Sequence, residues 1–203
     1  MKIAITGHTS GIGKALHEVC KNVTDDFLLM SRSTGYNLKT SIEQIKKDII
    51  DYDPDIIFNN AWYPGSQIAL LKDLHELFKD EDKHIINTGS LTAYMIGMFD
   101  DKLGYAEEKA QIKDYCVLQS FSYPHANRCR VSNISVGFTD TEIVNNQEGL
   151  ITTKFVAEKM FQIAFSETPI PETVINNKYL GRSQIIKYFK VASKNLIQTV
   201  ESS

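Results

Sequence analysis

Lys2-Ile-Ala-Ile-Thr-Gly-His-Thr-Ser-Gly-Ile-Gly-Lys-Ala-Leu16 decides how the rest of the chain is read. Its short apolar run, Ile3, Ala4 and Ile5, predicts a buried strand. Three glycines follow, Gly7, Gly11 and Gly13, while Ile12, Leu16, Val19 and Cys20 recur at helical spacing. Strand, glycine turn, helix is the order that sets a nucleotide phosphate over the free N–H groups of a helix N-terminus. In that reading Gly7 makes the tight turn and Gly11 lets the backbone approach a pyrophosphate. Gly13 lets helix and strand pack closely, and Thr9, Ser10 and Ile12 complete the turn. The spacing is T-G-x-x-x-G-x-G, not G-x-G-x-x-G. A plain strand-to-helix connection uses glycines too, so the turn needs support from the rest of the chain.

Working outward, apolar runs alternate with helical patterns. Phe27–Met30 predicts a second strand, ending in the turn Ser31-Arg32-Ser33-Thr34-Gly35. Tyr36-Asn37-Leu38 predicts a very short third strand, reached without a helix, so the crossover after strand two is shortened to a loop. A helix over 42–52 follows, capped by Thr40 or Ser41 and broken by Asp53-Pro54. Strands are predicted at 55–60, 83–90, 130–135 and 172–175, and helices at 66–78, 105–122, 152–165 and 182–200. A short helix fits 140–146. This alternation implies one α/β domain over 1–203, a doubly wound parallel sheet ending in a C-terminal helix. The loop 91–104 is long for a compact domain and is a candidate active-site segment.

A chain of 203 residues, 42% hydrophobic and 23% charged, has enough apolar material for one full core. A net charge of −3 gives no electrostatic footprint for nucleic acid. Cys20, Cys116 and Cys129 are odd in number, with no C-x-x-C, which points to a reducing, cytoplasmic setting without disulfides. His8, His17, His75, His84 and His125 form no ligand cluster, so no metal is expected. No signal peptide and no membrane-spanning run fit the sequence.

In such a sheet the ligand lies beyond the carboxyl ends of the strands. Attention therefore falls on Gly7–Ile12, Ser31-Arg32, Asn59-Asn60-Ala61, Thr88-Gly89-Ser90 and 136–141. Tyr105-Ala-Glu-Glu-Lys109 adds a tyrosine and a lysine four apart on one helix face. A free tyrosine titrates near ~10. A lysine ammonium beside it lowers that value and makes the phenol a working acid-base. Ser90, at the end of the fifth predicted strand, is placed to hydrogen-bond a carbonyl oxygen. A Tyr–Lys pair at this spacing is also a common surface pair, and the ordered set of motifs is what gives it weight.

With these motifs in order, the chain resembles the short-chain dehydrogenase/reductase family from Lys2 to about Thr141: T-G-x-x-x-G-x-G at 6–13, N-N-A at 59–61, Ser90, and Y-x-x-x-K at 105–109. The resemblance implies a Rossmann fold and reversible hydride transfer between a nicotinamide and an alcohol–carbonyl pair. It makes Tyr105 the catalytic acid-base and Ser90 the residue that orients the carbonyl. Lys109 lowers the tyrosine pKa and holds the nicotinamide ribose. Asn59, Asn60 and Ala61 shape the site, Thr141 reaches the carboxamide, and Asn37 and Leu38 lie near the adenine. Strand two lacks the terminal acid of an NAD site. Ser31-Arg32-Ser33 stands there instead, favouring NADP(H) over NAD(H), although a solvated surface arginine reads the same way.

The chain also departs from the family. Trp62 follows Asn60-Ala61 where glycine is usual, and either stacks on substrate or packs in the core. The helix before strand five lacks the relay asparagine; Gln67 and Ser66 are the polar residues nearby. The polar segment 142–151 suggests a small or polar substrate. Residues 142–203 would supply the substrate loop and C-terminal helices. The family implies a homodimer or homotetramer through helices 66–78 and 105–122, and the apolar face of the last helix (Ile185, Ile186, Phe189) would add to it. Membrane-surface binding by its basic residues Arg182, Lys187, Lys190 and Lys194 ranks below that. Two other functions share these motifs. One is a nucleotide-binding sensor or scaffold without turnover. The other is a sugar-nucleotide-modifying enzyme, which needs a larger C-terminal domain than the residues after Thr141 provide.

Overall fold

Six short apolar runs pair side by side as parallel strands, in the order β2-β1-β3-β4-β5-β6. They are β1 (Ile3–Thr6), β2 (Phe27–Met30), β3 (Ile56–Asn59), β4 (His84–Ser90), β5 (Arg130–Val136) and β6 (Glu172–Ile175). The helices between them are α1 (Gly11–Cys20), α2 (Ile42–Tyr52), α3 (Ser66–Phe78), α4 (Tyr105–Ser120) and α5 (Thr153–Ala164), and α6 (Arg182–Glu201) follows β6. The computed structural model describes residues 1–98, 101–123, 127–141, 143–144, 149–178 and 180–202, with only the backbone of Arg182. The short helix expected at 140–146 and the polar residues Asn145 to Glu148 fall largely outside that set.

Strands buried on both faces carry apolar side chains in alternation to two cores. Ile3, Ile5, Phe58, Ile86 and Ile134 face one way, against Leu16 of α1 and Val156 and Met160 of α5. Ala4, Ile57 and Ile85 face the other way, against Ile45 and Ile49 of α2, Leu71 and Leu74 of α3, and Ile112 of α4. This is the doubly wound sheet that the alternation of elements predicts. Strand order reverses between β1 and β3, which opens a crevice beyond their carboxyl ends.

The strand expected at 36–38 does not form. Ser31–Gly35 closes as a turn in which Ser31 and Thr34 bond each other. The Tyr36 N–H returns to the Ser31 carbonyl, and Asn37 makes a further turn by accepting from the Lys39 N–H. Local side-chain bonds outcompete a ladder only three residues long. With that strand gone, β2 is the sheet edge and α2 connects it directly to β3.

The last helix also differs from expectation. Ile185 and Phe189 do not face outward; they line a cavity over the strand ends, and Phe189 meets Phe138 edge-to-face at 4.9 Å. Of the three residues proposed for assembly, Ile186 is exposed, at 48%. Cys20, Cys116 and Cys129 are buried free thiols. Among the described residues no helix is long and apolar enough to cross a membrane, and no cluster of His, Cys, Asp and Glu is placed to hold a metal.

Candidate active site

Thr6 staples the site together. Its hydroxyl oxygen accepts from the N–H groups of Asn60 and Ala61, both at 2.9 Å, tying the end of β1 to the residues after β3. The Asn60 amide donates to the Thr6 carbonyl at 3.1 Å and accepts from the Thr88 hydroxyl of β4 at 2.9 Å. Three strand ends are fixed by one hydrogen-bonded chain.

The glycine turn rests on this platform. Gly7 has φ +73° and Gly11 φ +50°, values that side chains rarely adopt. A Cβ on Gly13 would lie 2.0 Å from the Gly7 carbonyl oxygen, so α1 packs directly on the turn. Ser10, the residue before α1, makes no side-chain cap, and the first turn of α1 has no acid. The helix therefore offers its N–H groups and positive dipole end to an anion. This cradle fits a pyrophosphate.

Gly7, Ser10, Gly11, Ile12, Arg32, Asn60, Ala61 and Thr141 line one cavity of about 740 Å³ together with Ser90, Tyr105 and Lys109. The cavity thus joins the glycine turn to the Ser-Tyr-Lys set. Thr141 lies over the glycine turn, where its methyl would be 3.2 Å from a Cβ on Gly11. Five residues named from sequence stand off the cavity lining. Gly13 is the packing contact already described. Thr9 accepts from Ser33 at 3.3 Å, Asn37 shapes its turn, and the Leu38 side chain is buried among Met30 and Ile45. Asn59 also is not part of the wall: fully buried, it donates to the Gln67 carbonyl and to Asn87 and braces β3 against α3 and β4.

Each catalytic candidate has a defined setting. Ser90 starts a 3-10 turn over Leu91–Tyr94, accepts from the Thr92 N–H at 3.2 Å, and sets its hydroxyl toward the Tyr105 phenol across the cavity wall. Burial pushes that phenol up to about 12; the Ser90 hydroxyl works against this, and the Glu108 and Asp101 carboxylates add to it. The lowering expected from Lys109 is not what the geometry gives. Its Nζ lies over the Tyr105 ring, 5.2 Å from the centroid, and donates to Gln67 Oε1 at 2.5 Å and to the Thr88 carbonyl at 2.7 Å. Lys109 is 2% exposed, and burial brings its pKa down to about 7, with Glu108 opposing. At neutral pH the site therefore holds a protonated phenol and a lysine that is only part charged.

Solved structures share this fold. Similar chains include a 3-alpha-hydroxysteroid dehydrogenase from Pseudomonas sp. B-0831 complexed with NADH (TM-score 0.69, 16% identity, 87% of this chain and 95% of that one). They also include a short-chain dehydrogenase from Burkholderia cenocepacia J2315 in complex with NADP (0.63, 15%, 86% and 95%) and an NADPH-dependent 3-quinuclidinone reductase from Rhodotorula rubra (0.66, 18%, 86% and 89%). This chain has the short-chain dehydrogenase/reductase fold. No protein-family model matches the chain, and neither does any curated protein.

Within the short-chain dehydrogenase/reductase fold, three residues matter that spacing alone did not reveal. Gln67 is buried and bridges Lys109, the Asn59 carbonyl and the Thr88 carbonyl. Glu108, 5% exposed, accepts from the Trp62 indole at 2.7 Å and from the Gly65 and Ile68 N–H groups, capping α3 from across the site. Trp62, its position open between stacking and core, lines the cavity with its ring edge-to-face on Tyr105 at 4.8 Å. Glu108 sits inside Y-x-x-x-K, where an acid at an unspecified position carries no signal until its partners are known.

Proposed function

We propose that the protein is an NADP(H)-dependent oxidoreductase acting on a carbonyl–alcohol pair, with Tyr105 as the acid-base. The observation that carries this reading is the single cavity in which the glycine cradle, Arg32, Ser90, Tyr105 and Lys109 all meet. A bound nicotinamide dinucleotide would supply, or take up, the hydride. Gly7, Gly11 and the α1 N-terminus would hold its pyrophosphate, and Arg32, at the rim beyond β2, its 2′-phosphate. Ser90 and Tyr105 line the same cavity, so a carbonyl oxygen seated between them would receive two donors. Tyr105 keeps its proton at neutral pH and delivers it to that oxygen as the alcohol forms. Lys109, through Gln67 and the Thr88 carbonyl, steadies the ring from beneath. The cytoplasmic setting and a homodimer or homotetramer belong to the same proposal.

Fluorescence titration with NADPH and NADH, on the wild type and Arg32→Ala, tests the cofactor half. NADPH should bind at least about tenfold tighter, equivalent to 1.4 kcal/mol, and Arg32→Ala should erase the difference. Equal binding of both nucleotides to the wild type refutes the role of Arg32. Tyr105→Phe should abolish carbonyl-dependent NADPH oxidation while leaving nucleotide affinity in place. The second reading, nucleotide binding without turnover, draws support from the diversion of the Lys109 amine to Gln67, and intact turnover in the wild type excludes it.

A further inference from the structure

The outer half of the cavity is closed by α6. Ile185, Phe189, Ala192, Leu196 and Val200 recur three to four residues apart, forming one stripe of the helix, and all of them line the cavity. Leu103 and Val144 line it too. Most polar side chains beside them are already engaged. Asn195 donates to the Ile143 carbonyl at 2.8 Å, and Asn177 bonds both backbone groups of Phe138. Both oxygens of Asp101 accept from the first N–H groups of α4, and Lys102 has a partner of its own. Beyond Ser90 and Tyr105, the α6 stripe therefore makes this part of the described wall mainly hydrocarbon, with the Ser193 hydroxyl beside it. The expectation of a polar substrate rested on the segment 142–151, of which 142 and 145–148 lie outside the described residues, while Ile143 and Val144 line the cavity.

We infer that the substrate is an aldehyde or ketone with an uncharged apolar body, selected by the underside of α6, with Leu196 as a specificity-determining residue. This inference rests on the oxidoreductase reading above. The carbonyl would reach the Ser90–Tyr105 pair while its hydrocarbon body displaces water from the α6 stripe. The same cavity must also take the dinucleotide, so the body is of medium length, not an extended chain.

The test is steady-state NADPH oxidation with propanal, pentanal, hexanal and glyceraldehyde, on the wild type, Leu196→Gln and Ile186→Gln, alongside NADPH affinity for each. Ile186 is on the outer face of the same helix and serves as the control. For the wild type, kcat/KM should rise about threefold to fourfold per methylene, the change expected when one CH₂ leaves water. Leu196→Gln should flatten that dependence, chiefly through KM, and Ile186→Gln should match the wild type in rate and in NADPH affinity. If glyceraldehyde is preferred, or the wild-type rate does not vary with chain length while NADPH is oxidised, the inference fails and the reductase reading stands. If Leu196→Gln does not fold, the wild-type series alone decides. If no nucleotide binds, both fall.

Discussion

Lys109 should make the stability of this protein rise with pH just above neutrality. In the unfolded chain it titrates at its ordinary value of 10.5, and in the folded chain at about 7. Between these values the unfolded chain binds a proton that the folded chain sheds, so stability increases with pH across that window. Below about 7 both states are charged, and the full cost of the buried ammonium is felt. One pKa unit corresponds to 1.36 kcal/mol. Integrating the two titrations from pH 7 to pH 8.5 gives a gain of about 1–2 kcal/mol. Above that range the three buried cysteines, whose pKa values burial raises, pull the other way. Lys109→Met removes the lysine titration and keeps the others. Its absolute stability mixes relief from desolvation with the cost of leaving Gln67 Oε1 without a donor, but the pH dependence of the difference isolates the lysine. Urea unfolding of both proteins, without nucleotide, at the two pH values should show the wild type gaining about 1–2 kcal/mol on the variant. A difference that does not change with pH means that Lys109 titrates normally, and the burial argument for the site is wrong.

Gly13→Ala would put a methyl 2.0 Å from the Gly7 carbonyl oxygen, a backbone atom that cannot step aside. It should cost about 3 kcal/mol or more, read by thermal unfolding, and lose NADPH binding by titration. An unperturbed melting temperature would mean that the turn is looser than the packing indicates. Glu108→Gln turns an amide N–H₂ toward donors that now face a carboxylate. It should cost about 2 kcal/mol and alter the near-ultraviolet circular dichroism of Trp62, the one tryptophan. Unchanged stability would refute the capping role.

Local pattern was enough wherever function is written in backbone geometry. The β1–glycine turn–α1 unit, the alternation of strands and helices, Ser90 at the end of β4 and the shared face of Tyr105 and Lys109 all follow from spacing over a few residues. Partners far apart in the chain were not legible. An i, i+4 spacing brings the lysine and tyrosine to one face but does not say where the amine points. Gln67, 42 positions away, decides that by accepting from Nζ. Tyr36-Asn37-Leu38 failed for the opposite reason: its apolar character suits a strand, but Ser31, Thr34 and Asn37 hydrogen-bond locally and bend the chain first. The apolar stripe on α6 was visible in sequence, but its direction was not. An unpaired apolar helix face reads as an assembly surface until the cavity beneath it is seen.

The two site helices begin in the same unusual way, and this accounts for the departures around Trp62. Gly65 and Gly104 precede α3 and α4 with φ of +75° and +65°, and neither has a side chain with which to cap its helix. Both ends are satisfied from outside. Asp101 accepts from the Tyr105 and Ala106 N–H groups, and Glu108 accepts from the Gly65 and Ile68 N–H groups. The acid that starts α3 is thus carried on α4, next in sequence to the lysine that takes the Gln67 side chain at the second position of α3. One helix turn clamps the other twice, through charge at Glu108 and through the amide at Lys109. Trp62 closes the same clamp by donating its indole N–H to Glu108 and setting its ring against Tyr105. A glycine at position 62 could do neither. The bulky residue therefore bonds Glu108 on one side and lines the cavity on the other, and the Tyr105 ring is held between a tryptophan edge-to-face with it and a lysine over its face.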